Sequence, residues 1–184
     1  GDELLGGYNR YILGPSLWHR ISKFPPPMRL FAGRAAVALP ERFWDKLGAV
    51  YNKFRAGAEG IDGLGAKVHR VGERLSIVDG LDALHLSMTS IWTKPEALLT
   101  GAVVEPSSQL QDPLPKLGLD DPAMRMMVQD LRSYLPDDIL CKVDRAAMGV
   151  SLETRTPFLD PDVIALSTRL PMSMKIRDGQ GKWA

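Results

Sequence analysis

Proline divides this chain into short segments, and apolar residues within most of these segments recur at helical spacing. Asp121-Pro122 and Asp160-Pro161 each combine an aspartate suited to cap a helix N-terminus with a proline suited to the first turn. After each pair, apolar side chains follow every three or four residues. We find no segment with the apolar–polar alternation of a half-buried strand. The sequence therefore predicts a mostly α-helical chain.

The same pattern gives approximate bounds for the elements. We predict helices over Met28–Leu39, Glu41–Phe54, Lys67–Ile77, Asp79–Ile91, Asp121–Leu135, Asp137–Met148 and from Pro161 to Leu170. Tyr134-Leu135-Pro136 predicts a break, because the residue before a proline is disfavoured in helical geometry. We expect loops at Gly1–Tyr11, which leads into a helix, at Val103–Leu119, and at Arg177–Lys182, where glycines indicate mobility.

Composition excludes several functional classes. The 184 residues carry 23 basic and 22 acidic side chains and have 45% apolar content, so we expect one soluble domain with no nucleic acid or anionic membrane as partner. The single cysteine, Cys141, rules out an intrachain disulfide and a cysteine metal cluster. No apolar run approaches the ~20 residues of a membrane span. These features predict a cytoplasmic protein.

The first candidate site is Gly1-Asp2-Glu3, with Gly6-Gly7 close behind. Carboxylates beside glycines suit Mg²⁺, which takes one or two protein carboxylates and shares its other positions with water and phosphate oxygens. The residues alone leave a second interpretation open, in which they form a solvated acidic turn.

The predicted helix Asp137–Met148 offers a second candidate. Asp138, Lys142 and Arg145 lie on its polar face, and Asp138 and Lys142 can form an i,i+4 ion pair. Asp144 falls at the edge of the apolar face, where an unpaired carboxylate would be costly to bury. We therefore expect Asp144 to have a partner or a function, and an ordinary buried ion pair stays open.

Two further segments carry charges that could act on a ligand. Glu153 and Arg155 alternate with apolar neighbours, so both can point to the same side of an extended segment. They can equally form an ion pair that fixes the turn. In the tail, glycines flank Lys182 and could let its ammonium reach a phosphate, although a basic surface loop has the same composition.

The order of these segments resembles the asparagine synthetase family. Gly1–Tyr8 is similar to the end of that family's Ser-Gly-(Asp/Glu)-Gly-(Gly/Ser)-Asp-Glu-x-x-Gly-Gly-Tyr motif. Tyr134–Met148 resembles its Tyr-Leu-Pro-x-Asp-Ile-Leu-x-Lys-x-Asp-Arg-x-(Ser/Ala)-Met segment. Ser151–Asp160 resembles its Ser-Leu-Glu-x-Arg-x-Pro-Phe-Leu-Asp segment, and Gly181–Ala184 the start of its Lys-(Trp/His)-x-Leu-Arg segment.

The resemblance implies the helical C-terminal part of an α/β adenine-nucleotide domain of the pyrophosphatase-loop type, with most of its parallel sheet absent from residues 1–184. It implies ATP, Mg²⁺, aspartate and ammonia from glutamine. Gly1, Asp2 and Glu3 would bind the nucleotide, with Asp2 on the metal, and Lys182 would stabilise charge during catalysis. Four further charged residues would form the substrate side of the cleft: Asp144, Arg145, Glu153 and Arg155. Of these, Asp144 and Glu153 are assigned to catalysis.

The resemblance also implies segments that these residues do not include. The Ser-Gly-Gly-x-Asp-Ser pyrophosphate loop and the N-terminal glutaminase domain are expected upstream of Gly1, and we expect the isolated chain to be inactive. The resemblance leaves open whether the protein forms a homodimer. Two alternatives remain: a β-lactam synthetase-like or peptide-cyclising relative that uses an internal amine, and a non-catalytic helical interaction module.

Overall fold

The computed structural model describes residues 1–54, 63–90, 100–101 and 119–183, and these are mostly helical, as predicted. The α-helices are α1 (Asp2–Leu5), α2 (Arg10–Ile21), α3 (Pro26–Ala38), α4 (Glu41–Phe54), α5 (Leu64–Ile77), α6 (Leu81–Thr89), α7 (Pro122–Arg132), α8 (Cys141–Met148), α9 (Pro161–Arg169) and α10 (Met172–Lys175). A π-helix over Leu135–Leu140 precedes α8, and a 3₁₀ turn over Pro157–Leu159 precedes α9. Strands β1 (Ile176–Arg177) and β2 (Gln180–Gly181) form an antiparallel hairpin.

The chain divides into two compact units, of which the second covers Trp18–Ser87. In that unit α5 packs against both α3 and α4. Gly33 and Gly72 allow the close approach of α3 and α5, since a Cβ at Gly33 would lie only 2.5 Å from the Gly72 carbonyl oxygen. The Trp44 indole nitrogen of α4 donates to the Ala36 carbonyl oxygen at 3.0 Å. The helix predicted over Glu41–Phe54 is present as α4.

The first unit, Gly1–Leu17 with Met88–Ala184, is organised around α7. Its apolar core contains side chains from α1, α2, α7 and the π-helix: Leu4, Tyr11, Ala123, Met126, Met127 and Leu135. The predicted Asp-Pro caps are confirmed. The Asp121 carboxylate accepts a hydrogen bond from the Met124 amide at 2.9 Å, and the Asp160 carboxylate accepts one from the Asp162 amide at 2.9 Å.

Three local predictions need correction. Helix α7 ends before Pro136, at Arg132, but Leu135 is not displaced from helical geometry, because Pro136 stands in the first turn of the π-helix, where its missing N–H is not needed. Gly1–Tyr11 is not a continuous loop, since α1 occupies Asp2–Leu5. The tail is not a mobile loop: Asp178 and Gly179 turn the β1–β2 hairpin with φ of 52° and 75°, as an Asp-Gly pair favours.

Other bounds shift by a few residues. Helices α3 and α5 begin two and three residues earlier than predicted, and α6 ends at Thr89. Ile91 and almost all of the loop predicted over Val103–Leu119 lie outside the described residues. Across the described ranges, the helices are too short or too polar to cross a bilayer.

Candidate functional site

The structure brings Asp2 and Lys182 into direct contact, although 179 residues separate them in the chain. The Lys182 Nζ lies 2.6 Å from the Asp2 Oδ1, and the two side chains are 56% and 33% exposed. Both charges are therefore accessible to a ligand from solvent. The sequence places these two residues in separate segments, and the family resemblance implied that both act on the same phosphates.

Backbone contacts fix this pairing. The Lys182 amide donates to the Leu5 carbonyl oxygen at 2.9 Å, so the hairpin hydrogen-bonds to the end of α1. A Cβ at Gly181 would overlap the Gly6 carbonyl oxygen, and one at Gly7 would overlap the Asp2 carboxylate. Lys182 itself has a φ of 55°, in the left-handed region that few non-glycine residues adopt. A charged lysine side chain therefore occupies a position whose backbone geometry favours glycine.

Glu3, between Asp2 and the Gly6-Gly7 pair in the sequence, has a buried side chain. It is 2% exposed, and its Oε1 accepts a hydrogen bond from the Tyr8 hydroxyl at 2.9 Å. Burial and the neighbouring Glu3 carboxylate raise the pKa of the Tyr8 hydroxyl well above its usual value, so Tyr8 remains a donor. The geometry suits Glu3 to support the loop rather than to bind a metal.

The sequence analysis did not identify the residues that anchor the segment Gly1–Tyr11. Asp130 of α7 is fully buried, and Arg10 donates to its Oδ2 from Nε at 2.8 Å. The Tyr11 hydroxyl donates to the same oxygen. The Arg10 guanidinium also lies over the rings of Tyr8 and Tyr134, at 4.0 and 4.5 Å from their centroids. Together these contacts join α7 to the segment that carries Asp2.

Gly1 and the segment after Arg155 also meet. A Cβ at Gly1 would lie 3.4 Å from the Phe158 ring, so the 3₁₀ turn packs directly against the acidic segment. Upstream of that turn, Arg155 Nη2 and Glu153 Oε1 form an ion pair at 2.6 Å, with both side chains more than 70% exposed. The alternative of an ion pair between these two residues is therefore the one observed, and both remain open to solvent.

The predicted burial of Asp144 is wrong. Asp144 and Arg145 are both exposed on α8, none of whose residues is buried, so the desolvation argument for a partner does not apply. Val143 and Met148 of the same helix are 41% and 55% exposed. The i,i+4 pair is confirmed, with the Lys142 Nζ 2.7 Å from the Asp138 Oδ1.

The acidic segment fits Mg²⁺ only as a partial site. Among the residues that the structure describes, no three His, Cys, Asp or Glu side chains are grouped to hold a metal ion. Mg²⁺ commonly uses one or two carboxylates and completes its shell with water and phosphate oxygens, which the exposed Asp2 allows. Lys182 beside it can neutralise phosphate charge as a point cation.

Comparisons with known proteins identify a single family. The Asparagine synthase family model matches residues 1–184. A Mycobacterium tuberculosis (strain H37Rv) protein named as an asparagine synthetase of the glutamine-hydrolysing type is 48% identical over 64 residues, which are 35% of this chain and 10% of that protein. Asparagine synthetase [glutamine-hydrolyzing] 1 of Bacillus subtilis (strain 168) is 36% identical over 59 residues, 32% of this chain and 9% of that protein.

These matched stretches cover about a tenth of each curated relative. No solved structure matches the chain significantly. The family model, in contrast, extends over every residue of the chain and includes both members of the Asp2–Lys182 pair. The chain belongs to the asparagine synthase family.

Proposed function

We propose that this chain forms part of the nucleotide and aspartate site of an ATP-dependent carbon–nitrogen ligase that makes asparagine. The observation that carries the proposal is the 2.6 Å contact between Asp2 and Lys182. The Asp2 carboxylate can bind a metal ion, and Lys182 places a cation beside it. This arrangement suits a nucleoside triphosphate, because its phosphates need positive charge from more than one side. Family membership supplies the reaction class.

In the proposed reaction the aspartate side-chain carboxylate attacks the α-phosphorus of ATP. The bond to pyrophosphate breaks and aspartyl-AMP forms. Ammonia released from glutamine then attacks the acyl carbon, AMP leaves with the bonding electrons, and a proton is released as asparagine forms. Mg²⁺, when bound, neutralises phosphate charge. Asp2 would hold the metal and Lys182 would stabilise the negative charge that develops on the phosphates.

The other residues take supporting or substrate-facing roles in this proposal. Glu3, hydrogen-bonded to Tyr8, keeps the acidic segment in shape, and Gly1 allows it to pack on the Phe158 ring. Four exposed charged residues would form the substrate side of the cleft: Asp144, Arg145, Glu153 and Arg155. The names of the relatives include glutamine hydrolysis. The proposal adds an N-terminal glutaminase domain, a cytoplasmic location and a pyrophosphate-loop fold for the nucleotide domain.

Two rival functions are distinguishable. A non-catalytic helical module gives no reason for an accessible lysine with φ of 55° to contact a carboxylate 180 positions away in the chain, so the geometry favours an enzyme. A relative that uses an internal amine would keep the same activation chemistry. The acceptor is identified by supplying aspartate with glutamine, with ammonia, or with neither, and by analysing the product.

The central test is aspartate-dependent exchange of pyrophosphate into ATP by the family protein that contains these residues. We expect Lys182→Ala to lower the exchange rate by roughly 10²- to 10³-fold, the usual loss when one charge-stabilising donor is removed. Lys46→Ala removes an exposed lysine of α4 that lies in none of the family-like motifs, and serves as the control. Normal exchange by Lys182→Ala would refute the assignment.

A further inference from the structure

Arg29 of α3 is a buried cation with little compensation. It is 7% exposed, and its Nη1 donates to the Val78 carbonyl oxygen at 3.2 Å. Its Nε is buried and has no hydrogen-bond partner among the described residues. The Trp18 ring lies 5.3 Å from the guanidinium carbon, which provides a weak cation–π contact. An arginine offers five N–H donors, and one of those of Arg29 has a protein acceptor among the described residues.

Two cavities adjoin this side chain, within the unit Trp18–Ser87. The larger has a volume of about 350 Å³ and the smaller about 280 Å³, and Arg29 and Leu75 line both. Aliphatic side chains and prolines dominate the larger cavity, which includes Leu30, Ile77 and Val78. Phe24 and Met28, each more than half exposed, line the smaller one. A guanidinium therefore adjoins two mostly apolar spaces.

This combination indicates an anionic ligand. Burying an unpaired charge is costly, and proteins usually compensate it with an opposite charge that is also hydrogen-bonded. The planar guanidinium suits a carboxylate, which it can bind through two parallel N–H bonds. The larger cavity also lies within the usual range of small-molecule sites, which are mostly apolar with a few polar groups that orient the ligand.

The charge of the surroundings limits the anion to a single negative charge. Asp79 lines the larger cavity and is exposed. Its carboxylate disfavours a phosphate dianion, and Arg29 is the one basic side chain that lines either cavity in the described structure. A monocarboxylate with an apolar body satisfies the guanidinium and fills the apolar walls at the same time.

We propose that Arg29 and the two cavities beside it form a binding site for a small monocarboxylate with an apolar body, separate from the Asp2–Lys182 site. The carboxylate would accept hydrogen bonds from the Arg29 guanidinium, and the apolar part would lie against Leu75 and its neighbours. This inference rests on the geometry of α3 and α5 and stands whether or not the chain makes asparagine.

The test uses octanoate and its neutral analogue octanamide as probes on the 184-residue chain. We expect isothermal titration calorimetry to show octanoate binding at least tenfold tighter than octanamide. We also expect the ¹⁵Nε–¹Hε resonance of Arg29 to shift on addition of octanoate alone. Leucine serves as a third probe, since it carries the same carboxylate next to an ammonium that Asp79 could accept. Tighter binding of leucine than of octanoate supports the carboxylate site and identifies an amino acid as the better ligand.

Arg29→Met should abolish the preference for octanoate, whereas Arg34→Met, which removes an exposed arginine from the same helix, should leave it unchanged. If Arg29→Met fails to fold, Arg29→Lys keeps the charge but loses the planar fork, and we expect at least a fivefold weaker affinity for octanoate. Equal affinities for octanoate and octanamide, or an unmoved Arg29 Nε resonance in the folded wild-type chain, would overturn the proposal.

Discussion

Gly7→Ala should break the Asp2–Lys182 contact and leave the stability of the fold almost unchanged. A Cβ at Gly7 would overlap the Asp2 carboxylate and lie 2.5 Å from the Lys182 Cε. Ordinary carbon–carbon contacts are about 3.5 Å or longer, so the lysine side chain must move by roughly 1 Å. Both obstructing groups belong to partly exposed side chains, which can rotate away without displacing the backbone.

The expected cost is small because the pair is accessible to solvent. Exposed ion pairs contribute about 0.2–1 kcal/mol, so losing this one should cost no more than ~1 kcal/mol. For a chain of this size that corresponds to a fall in Tm of less than about 4 °C. Loss of the same energy raises the fraction of molecules in which the Lys182 amine is unpaired by roughly two- to fivefold.

The measurement is acetylation of lysines by a limiting reagent, followed by peptide mass spectrometry. Lys182 should react two to five times faster in Gly7→Ala than in the wild-type chain, while circular dichroism gives an almost unchanged Tm. Lys142, whose Nζ lies 2.8 Å from the Asp138 Oδ2, is the internal control and should react at the same rate in both proteins. An unchanged Lys182 rate in a folded variant would refute the claim that Gly7 makes room for the pair.

Three other predictions concern the supporting structure. Asp130→Asn leaves the partly buried Arg10 without its anionic partner, and we expect a loss of about 3 kcal/mol in the free energy of unfolding, measured by urea titration; a change below 1 kcal/mol would contradict the importance of this pair. Burial raises the pKa of both Tyr8 and Tyr11 above the usual value near 10, so their phenols stay protonated in the folded state where the unfolded state loses protons. Stability from these groups is intact below about pH 10 and falls as pH rises further, and absorbance at 295 nm should show both ionising only as the chain unfolds. Asp121→Ala removes the N-cap of α7 and should cost about 1 kcal/mol, read from the shift in the urea midpoint.

The local rules of helix formation gave most of the fold. Glu41–Phe54 was predicted to the residue because its apolar spacing and the preceding proline both mark its ends. The prediction failed at Pro136, where a steric rule about single residues could not anticipate a π-helix that accommodates the proline in its first turn. It also failed at Asp178-Gly179, although this dipeptide is a strong hairpin signal and could have been recognised.

The sequence predicted which residues form the candidate site but not how they are arranged in space. Periodicity says nothing about contacts across 179 residues, so the meeting of Asp2 and Lys182 required the structure. The Asp130 anchor did leave a signal, because it follows the buried Met126 and Met127 at helical spacing and therefore falls on the buried face of α7. A carboxylate at such a position needs a partner, and Arg10 is that partner.

The hydrogen bond from the Lys182 amide to the Leu5 carbonyl oxygen also has a consequence for biosynthesis. A ribosome adds roughly 5–20 residues per second, so Asp2 is made about 10 to 40 s before Lys182. During that interval the carboxylate of the nascent chain has no hairpin to receive it. The site can therefore assemble only after every helix between its two halves has been made.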